Sequence, residues 1–231
     1  MGLECHVDEF LSRRPLVQSI GGLFYLKRSP APVKLPREYT PELCRIVGIM
    51  HGDGNMSGRR ILVTDSLKDY HIFVVQPLFM GLFNVKLNLF QDRNRNSYYS
   101  HTKNSLLYDY FTEVLEIPKG SVRSSLKLPS YIESFSDESK AAYIGGLYDS
   151  EGSIKSRQAE IDFSITCRSI SDFISKFLKE QGIGISTPVR NRLGRDTEYE
   201  IRIYGRDDLK RFSEVITFLH PDKNKKLSNY L

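Results

Sequence analysis

The stretch from Ile144 to Gly152 reads IGGLYDSEG, and a matching stretch, IVGIMHGDG, runs from Ile46 to Gly54. In each copy an apolar, glycine-containing run of helical character ends in a carboxylate that is followed at once by glycine. The carboxylates are Asp53 in the first copy and Glu151 in the second. Two copies of one pattern predict that the chain is built from two similar halves.

Both acids stand where the preceding helix is expected to end. Unpaired carbonyls and the negative end of the helix dipole gather at a helix C-terminus, so a carboxylate there costs stability. A divalent cation reverses this, because carboxylates and backbone carbonyls are the hard oxygen ligands that Mg²⁺ or Ca²⁺ takes. The alternative is a core helix closed by a glycine cap with a surface acid before it. Because the arrangement occurs twice, we favour a function for the acids.

The two stretches resemble the paired LAGLIDADG motifs of single-chain homing endonucleases, the intron-encoded kind with both halves in one polypeptide. Glycine occupies the third position of both copies, as Gly48 and Gly146, and an acid followed by glycine closes each. His51 departs from the motif at the sixth position of the first copy, where the family has Asp. The resemblance extends from about Lys34 to the C-terminus.

This resemblance implies an α+β fold with two pseudo-symmetric αββαββα halves, each an antiparallel sheet that forms half of a DNA-binding saddle. The implied activity is site-specific, metal-dependent double-strand cleavage of DNA with short 3′ overhangs, at a long and loosely palindromic target. In the family the acids bind the metal, which points to Asp53 and Glu151, assisted by the carbonyls of Gly52 and Ser150. The expected ion is Mg²⁺, with Mn²⁺ or Ca²⁺ able to occupy the same sites, and the expected state is a monomer.

Composition shifts and helix starts divide the chain into an extension at 1–39, a first half at 40–117, a linker at 118–135 and a second half at 136–231. Thr40 with Pro41 is a strong helix start, and Ser136 before two acids is another. These signals predict motif helices from about Pro41 to Gly52 and from after Ser136 to about Ser150. The extension, with a short helix near residues 7–20, either packs on the first half or adds a contact to the DNA backbone.

Beyond each motif the apolar period changes from helical to alternating, which predicts strands with one greasy and one polar face. Ile161, Phe163 and Ile165, for example, alternate with polar residues. Helices on one face of each sheet leave the other face open, and we expect DNA to bind there. The candidate DNA-binding residues carry side chains suited to phosphates or base edges and are Arg59, Arg60, Asn88, Gln91, Arg93, Arg95, Lys155, Arg157, Gln158, Arg168, Arg190, Arg192, Arg195 and Arg202. A plain solvated sheet is the alternative, because acids share the polar face.

A basic residue near each scissile phosphate is expected to stabilise the charge that builds there. Lys103 and Arg206 occupy matching places just before the closing helix of each half and are the first choice as catalytic residues. An ordinary surface residue at a helix start is the other interpretation of these two, and Arg168 and Lys155 are alternative candidates.

The 231 residues include 33 Lys plus Arg against 28 Asp plus Glu, a net charge of +5 that supports a polyanionic partner only weakly. The three cysteines lack CxxC spacing, which argues against a zinc site or disulfide framework and fits a reducing compartment, the cytoplasm or an organellar matrix. The most apolar run, from His71 to Val85, is too interrupted to span a bilayer, so no membrane partner is expected.

Two rival functions use the same scaffold. An RNA-splicing maturase, whose partner is its own intron RNA, does not need the acids, and a DNA-binding regulator does not cleave. Because both acids are present, cleavage is the favoured interpretation. A glycosidase would also use two acids, but it does not call for duplicated helix ends or an arginine-lined sheet.

Overall fold

A computed structural model describes residues 2–26, 31–121, 125–191, 193–194 and 196–231. Each half contains a five-stranded antiparallel sheet, and its helices pack on one face of that sheet. This confirms the predicted α+β class. Arg192 and Arg195, two of the candidate DNA contacts, lie outside the described residues.

The helices of the described chain follow one another as α1 (Leu3–Ser12), α2 (Pro41–Gly52), α3 (Lys68–Tyr70), α4 (Gln76–Phe83), α5 (Ser105–Glu113), α6 (Asp137–Glu151), α7 (Arg168–Glu180), α8 (Arg206–Val215) and α9 (Pro221–Ser228). The strands are β1 (Val17–Ile20), β2 (Leu23–Leu26), β3 (Gly54–Met56), β4 (Ile61–Asp65), β5 (Asn88–Asp92), β6 (Ser97–Thr102), β7 (Gly120–Ser121), β8 (Ser153–Ile154), β9 (Glu160–Ile165), β10 (Ile185–Ser186), β11 (Val189–Arg190) and β12 (Glu198–Tyr204).

The two sheets have related strand orders. In the first half the order is β5-β6-β4-β3-β7, and in the second it is β10-β12-β9-β8, with β11 also paired to β12. Phe163 of β9 lies directly opposite Ile201 of β12, and both are buried against the helices. The alternation expected for β9 is therefore present, and it leaves the polar residues of this sheet on the outer face.

The motif helices begin where the capping signals predict. The Thr40 side chain accepts a hydrogen bond from the Leu43 amide ahead of Pro41, and the Ser136 side chain accepts one from the Ser139 amide. Helix α2 ends at Gly52 with Asp53 as its C-cap, and α6 continues through Glu151, one residue beyond the predicted end.

Helices α2 and α6 pack against each other at backbone distance through their motif glycines. A Cβ atom on Gly48 would lie 2.1 Å from the carbonyl oxygen of Tyr143, and one on Gly146 would lie 2.3 Å from the carbonyl oxygen of Arg45. Real Cβ atoms do not approach a backbone oxygen this closely, so only glycine fits at either position. The two contacts are related by the pseudo-twofold symmetry of the halves.

The same symmetry relates two polar contacts between these helices. The residue before each motif meets the sixth position of the other copy: Arg45 Nη1 lies 2.7 Å from Asp149 Oδ2, and the Tyr143 hydroxyl lies 2.9 Å from His51 Nδ1. Burial lowers the pKa of His51 to about 3, so this imidazole is neutral. The departure at His51 thus replaces an ion pair with a neutral hydrogen bond at the same place.

The N-terminal extension differs from its predicted single helix over residues 7–20. Helix α1 stops at Ser12, shortly before Pro15, and β1 and β2 form a hairpin whose turn is Gly21-Gly22, both with positive φ. A glycine pair with positive φ is what a two-residue hairpin turn requires. Phe10 of α1 packs edge-on against Tyr110, at 6.2 Å between ring centres, so the extension packs on the first half.

Pro77 lies near the start of α4, within a helical stretch that does not break there. A π-helical turn, His71–Val75, joins α3 to α4, and the Gln76 amide donates to the His71 carbonyl five residues back. Proline would clash with the carbonyl four residues before it in a regular helix, and the wider turn removes that conflict while the helical path continues. No helix in the described part of the chain is both long and apolar enough to cross a membrane.

The buried apolar residues form one continuous core that includes side chains from both halves and from α1 and α9. The boundaries at 1–39, 40–117, 118–135 and 136–231 stay predictions.

The glycine contact predicts a steep cost for the smallest possible side chain. Gly48→Ala pushes a methyl group into a backbone carbonyl, and we expect a loss of about 3 kcal/mol or more in the free energy of unfolding, since overpacking typically costs about 1–3 kcal/mol. Gly81→Ala is the matched control, because a methyl group added at this position of helix α4 would have no neighbouring atom within 4 Å. That change should stabilise by about 0.5–1 kcal/mol. Urea unfolding measures both, and an equal effect of the two variants would contradict the packing account.

Candidate active site

The pairing of α2 and α6 brings the two motif acids to the same end of the helix pair. A Cβ atom on Gly52, the residue before Asp53, would lie 2.3 Å from Ser150 Cβ and 3.5 Å from Glu151 Cγ. Asp53 and Glu151 also act on each other electrostatically. The structure therefore brings the two motif acids close together.

Burial and the neighbouring negative charges change the protonation of Asp53. Burial, together with the neighbouring charges of Glu151 and Asp65, raises the pKa of Asp53 from 3.8 to about 7, against the opposing effects of Lys223 and a hydrogen bond from Ser150. A carboxyl group of this pKa is only partly ionised near neutral pH. A cation placed beside it would favour the ionised form.

Lys223, at the start of α9, is the cation that the structure places here. Its Nζ donates to the carbonyl oxygens of Tyr148 at 3.2 Å and Ser150 at 2.7 Å, and also to that of Asp149. These carbonyls lie in the last turn of α6, where few partners remain within the helix, and that of Tyr148 also accepts a hydrogen bond from the Gly152 amide at 3.0 Å. Burial lowers the pKa of Lys223, and the surrounding acids oppose that shift. The lysine therefore caps the helix that carries Glu151.

The segment that leads into α9 is bound to both motif helices. The carboxylate of Asp149, which is fully buried, accepts hydrogen bonds from the amides of Leu219 at 2.9 Å and His220 at 3.0 Å. Arg45, from the other motif helix, pairs with this carboxylate and donates to the Thr217 carbonyl at 2.8 Å. This network fixes the segment before Lys223 and thereby the position of the lysine.

A second acid of the first half lies against the same segment. Asp65, at the end of β4, lies against His220, with 3.5 Å between Asp65 Oδ2 and His220 Nε2. The His220 ring stacks on Tyr70, with 4.9 Å between ring centres. The cluster around the motif acids therefore contains Asp65, Asp149, His220 and Lys223, none of which the sequence interpretation singled out. The one signal available was the proline at the start of α9, which marks a helix beginning as Pro41 does.

The carbonyl oxygens predicted to assist metal binding differ in their surroundings. That of Ser150 accepts a hydrogen bond from the Lys223 ammonium group, so it already has a cationic partner that is not a metal. Among the described residues, no group of three or more His, Cys, Asp or Glu side chains is arranged to hold a metal ion. A metal bound here would thus rest on two carboxylates and on backbone oxygens.

Lys103 and Arg206, the basic residues predicted to assist catalysis, are not found beside the motif acids in the described contacts. Lys103 is exposed just before α5, where its charge and that of Arg60 add to burial in lowering the pKa of His101. Arg206 is exposed at the start of α8. Neither is among the charges that shift the pKa of Asp53, whereas Lys223 is. A catalytic role for Lys103 and Arg206 stays a prediction.

The outer face of the first sheet combines polar and aromatic residues. Register places Asn88 and Phe90 of β5 beside His101 and Tyr99 of β6, and the three rings stack, with 5.3 Å between the Phe90 and His101 centres. Gln91 follows Phe90 on β5, opposite Tyr98 of β6, and is exposed. Its role as a DNA contact stays a prediction.

The other candidate DNA contacts of the described chain fall into two groups. Lys155, Arg190 and Arg202 lie on the outer face of the second sheet and are engaged with acids there. The rest are exposed in turns or at a helix start, namely Arg59 and Arg60 between β3 and β4, Arg93 and Arg95 between β5 and β6, Arg157 and Gln158 between β8 and β9, and Arg168 at the start of α7.

Comparison with known proteins gives matches along most of the chain. A family model described as a LAGLIDADG-like domain matches residues 138–217. Homing endonuclease I-ApeI of Aeropyrum pernix is 26% identical over 172 residues, which cover 72% of this chain and 75% of that protein. The isomerizing glutamine–fructose-6-phosphate aminotransferase of Methanocaldococcus jannaschii is 28% identical over 206 residues, or 87% of this chain, and the chain spans 18% of the length of that aminotransferase.

A solved structure of I-DmoI in complex with DNA and Mn has a TM-score of 0.56 at 20% identity, and the match covers 78% of this chain and 97% of that one. At this identity the likeness concerns the fold. With the match of residues 138–217 to the LAGLIDADG-like family model, it confirms the resemblance to single-chain LAGLIDADG homing endonucleases.

Proposed function

We propose that the protein is a site-specific DNA endonuclease that makes a divalent-metal-dependent double-strand break with short 3′ overhangs. The observation that carries this proposal is the meeting of Asp53 and Glu151 at the ends of two helices in backbone contact. The name of the Aeropyrum pernix relative supports it. So do the structures of I-DmoI, which hold DNA with Mn or Ca, and of an I-DmoI variant with target DNA in the presence of Mg.

The donor set fits a hard divalent cation such as Mg²⁺. Carboxylate and carbonyl oxygens are its preferred ligands. Burial, together with the charges of Glu151 and Asp65, raises the pKa of Asp53, and a bound cation would favour its ionised form. Asp53 and Glu151 would hold the metal, with the Gly52 carbonyl the better placed of the two predicted backbone ligands because Lys223 binds that of Ser150. When bound, a metal of this kind supplies an activated water and charge stabilisation at the phosphate.

The chain's own residues prepare the site in three ways. The glycine contact holds the acids together, the buried pair of Arg45 and Asp149 fixes the two helices in register, and Lys223 adds a positive charge at the end of α6. An ammonium group near a scissile phosphate stabilises the charge that develops there. We assign that role to Lys223 in the second half.

The two sheets would bind successive stretches of one duplex. A single chain supplies one acid from each half, so we propose that a monomer cuts both strands. The outer face of the first sheet has a ring stack, whereas that of the second has a network of charged side chains. Faces that differ this much favour a target that is only loosely palindromic.

Substitution of either acid tests the assignment. Asp53→Asn or Glu151→Gln should abolish cleavage with Mg²⁺ while DNA binding is retained, because the carboxylates hold the metal rather than the duplex. Glu138→Gln, the same charge change at the other end of α6, should cleave like the wild type. Gel assays of cleavage and binding measure these outcomes. Turnover near the wild-type rate in either acid variant would contradict its role, and binding without any cleavage by the wild-type protein would favour a regulator.

The raised pKa of Asp53 predicts a pH-dependent stability. Between the usual value of 3.8 and the folded value of about 7, the folded protein keeps a proton that the unfolded chain has lost. The free energy of unfolding should therefore fall as pH rises through this window. Asp53→Asn removes the effect, so the wild type should lose stability relative to this variant from about pH 4 to pH 7. Denaturation at several pH values measures the difference, and parallel profiles would contradict the shifted pKa.

Lys223→Met tests the lysine at the end of α6. We expect cleavage to fall about 100-fold or more, in line with the loss of one charge-stabilising donor. The free energy of unfolding should fall by about 1.5–3 kcal/mol, because charged hydrogen bonds are lost. Lys225→Met changes an exposed lysine on the same helix and should leave both quantities near wild type. Wild-type cleavage by a folded Lys223→Met protein would show that Lys223 has no part in the reaction.

A further inference from the structure

A chain of alternating charges crosses the outer face of the second sheet. Lys155 Nζ lies 2.5 Å from Asp162 Oδ2, and Arg202 Nε lies 3.5 Å from Asp162 Oδ1. Arg202 Nη2 lies 2.6 Å from Glu200 Oε2, and Arg190 Nη2 lies 2.6 Å from Glu200 Oε1. We call these five residues the charged ladder. It passes over β9, β12 and β11 on the face that the proposed function assigns to DNA.

Glu200 is the member that organises the two arginines. Its carboxylate uses one oxygen for each guanidinium, and its side chain is 8% exposed, against 44% for Arg190 and 30% for Arg202. Arg202 is further oriented by its Nε contact to Glu200 at 3.1 Å and by its Nη1 contact to the Tyr204 hydroxyl at 3.4 Å. A buried acid thus holds two partly exposed guanidinium groups in fixed directions.

Fixed guanidinium groups and mobile ones recognise DNA differently. A mobile arginine on a surface meets phosphates of any sequence, whereas a guanidinium presented in a set direction makes the bidentate contact to O6 and N7 of guanine. The acids of the ladder also reduce the positive charge of this face, which weakens sequence-independent attraction to the duplex. Both effects raise the ratio of specific to non-specific binding.

We infer that Glu200 is a positioning residue for base recognition, which aims Arg190 and Arg202 at two neighbouring guanines in the half-site bound by the second sheet. This inference rests on the proposed function for its DNA substrate and adds the base preference of one half-site. The first sheet, with its ring stack of Phe90, Tyr99 and His101, has no such acid-held pair among its described contacts.

The inference is tested by selecting binding sites from a pool of DNA duplexes. Each duplex contains a randomised region about two helical turns long. EDTA prevents metal-dependent cleavage during the selection. The wild-type protein should enrich sites with two neighbouring guanines on one side. Glu200→Gln should lose preference at those positions by about tenfold, as expected for a lost bidentate contact, and keep it in the other half-site. It should also bind unrelated DNA more tightly at low salt, with a salt dependence steeper by about one charge.

Glu214→Gln is the matched control, because it makes the same charge change at an exposed position of α8, away from the sheet face. It should select the wild-type sites.

Arg190→Met provides a second test if Glu200→Gln folds poorly, and it should lose preference at one of the two guanines. Retention of the wild-type preference by Glu200→Gln or Arg190→Met would overturn the inference. So would an equal loss of preference in both half-sites, or a wild-type selection without neighbouring guanines. A wild-type protein that shows no metal-dependent cleavage, while Glu200→Gln and Arg190→Met change the selected sites as predicted, would overturn the proposed function. That outcome would leave the inference about Glu200 in place.

Discussion

The backbone contact between α2 and α6 is the constraint on which the rest of the structure depends. Gly48 and Gly146 remove the side chains that would separate the helices, and the carbonyls of Tyr143 and Arg45 occupy the space. Each helix end then lies beside the other, so residues at the ends of both motifs share one small volume. A wider helix pair would leave the same acids on separate surfaces, where neither would perturb the other.

Close approach of the helices gathers several carboxylates in one place, and basic residues of α2 and α9 compensate part of their charge. Asp53, Asp65, Asp149 and Glu151 all act on Lys223, the cation at the start of α9. Arg45 compensates the fully buried Asp149, which is the arrangement a buried carboxylate needs. Burial, with the charges of Glu151 and Asp65, raises the pKa of Asp53, and Lys223 opposes that shift. The proposed divalent cation would add positive charge at this place and favour the ionised carboxylate.

Much of this arrangement follows from the sequence, because the signals are local or repeated. The capping residues Thr40 and Ser136 mark helix starts, the motif glycines mark the contact, and alternation marks β9 and β12. The position of Lys223 could not be inferred in the same way, since it depends on a segment that folds back across both halves. Lys103 and Arg206 have matching places in the chain, but chain position does not show which basic group reaches the acids.

Other differences have equally specific causes. The Gly21-Gly22 turn is visible in the sequence, yet the helix predicted up to residue 20 ends earlier, ahead of Pro15. The fixed directions of Arg190 and Arg202 depend on Glu200, and a strand pattern shows only that these side chains share a face. Acids on that face, which the sequence suggested as a sign of plain solvation, are instead part of the arginine geometry.

The central claim is that Asp53 and Glu151 form one cation-binding centre between the motif helices. An anomalous difference map from crystals of the protein grown with duplex DNA and Ca²⁺ tests it most directly. The account predicts calcium density within about 2.6 Å of a carboxylate oxygen of each acid. Density confined to other surfaces, with both carboxylates free of metal, would contradict it.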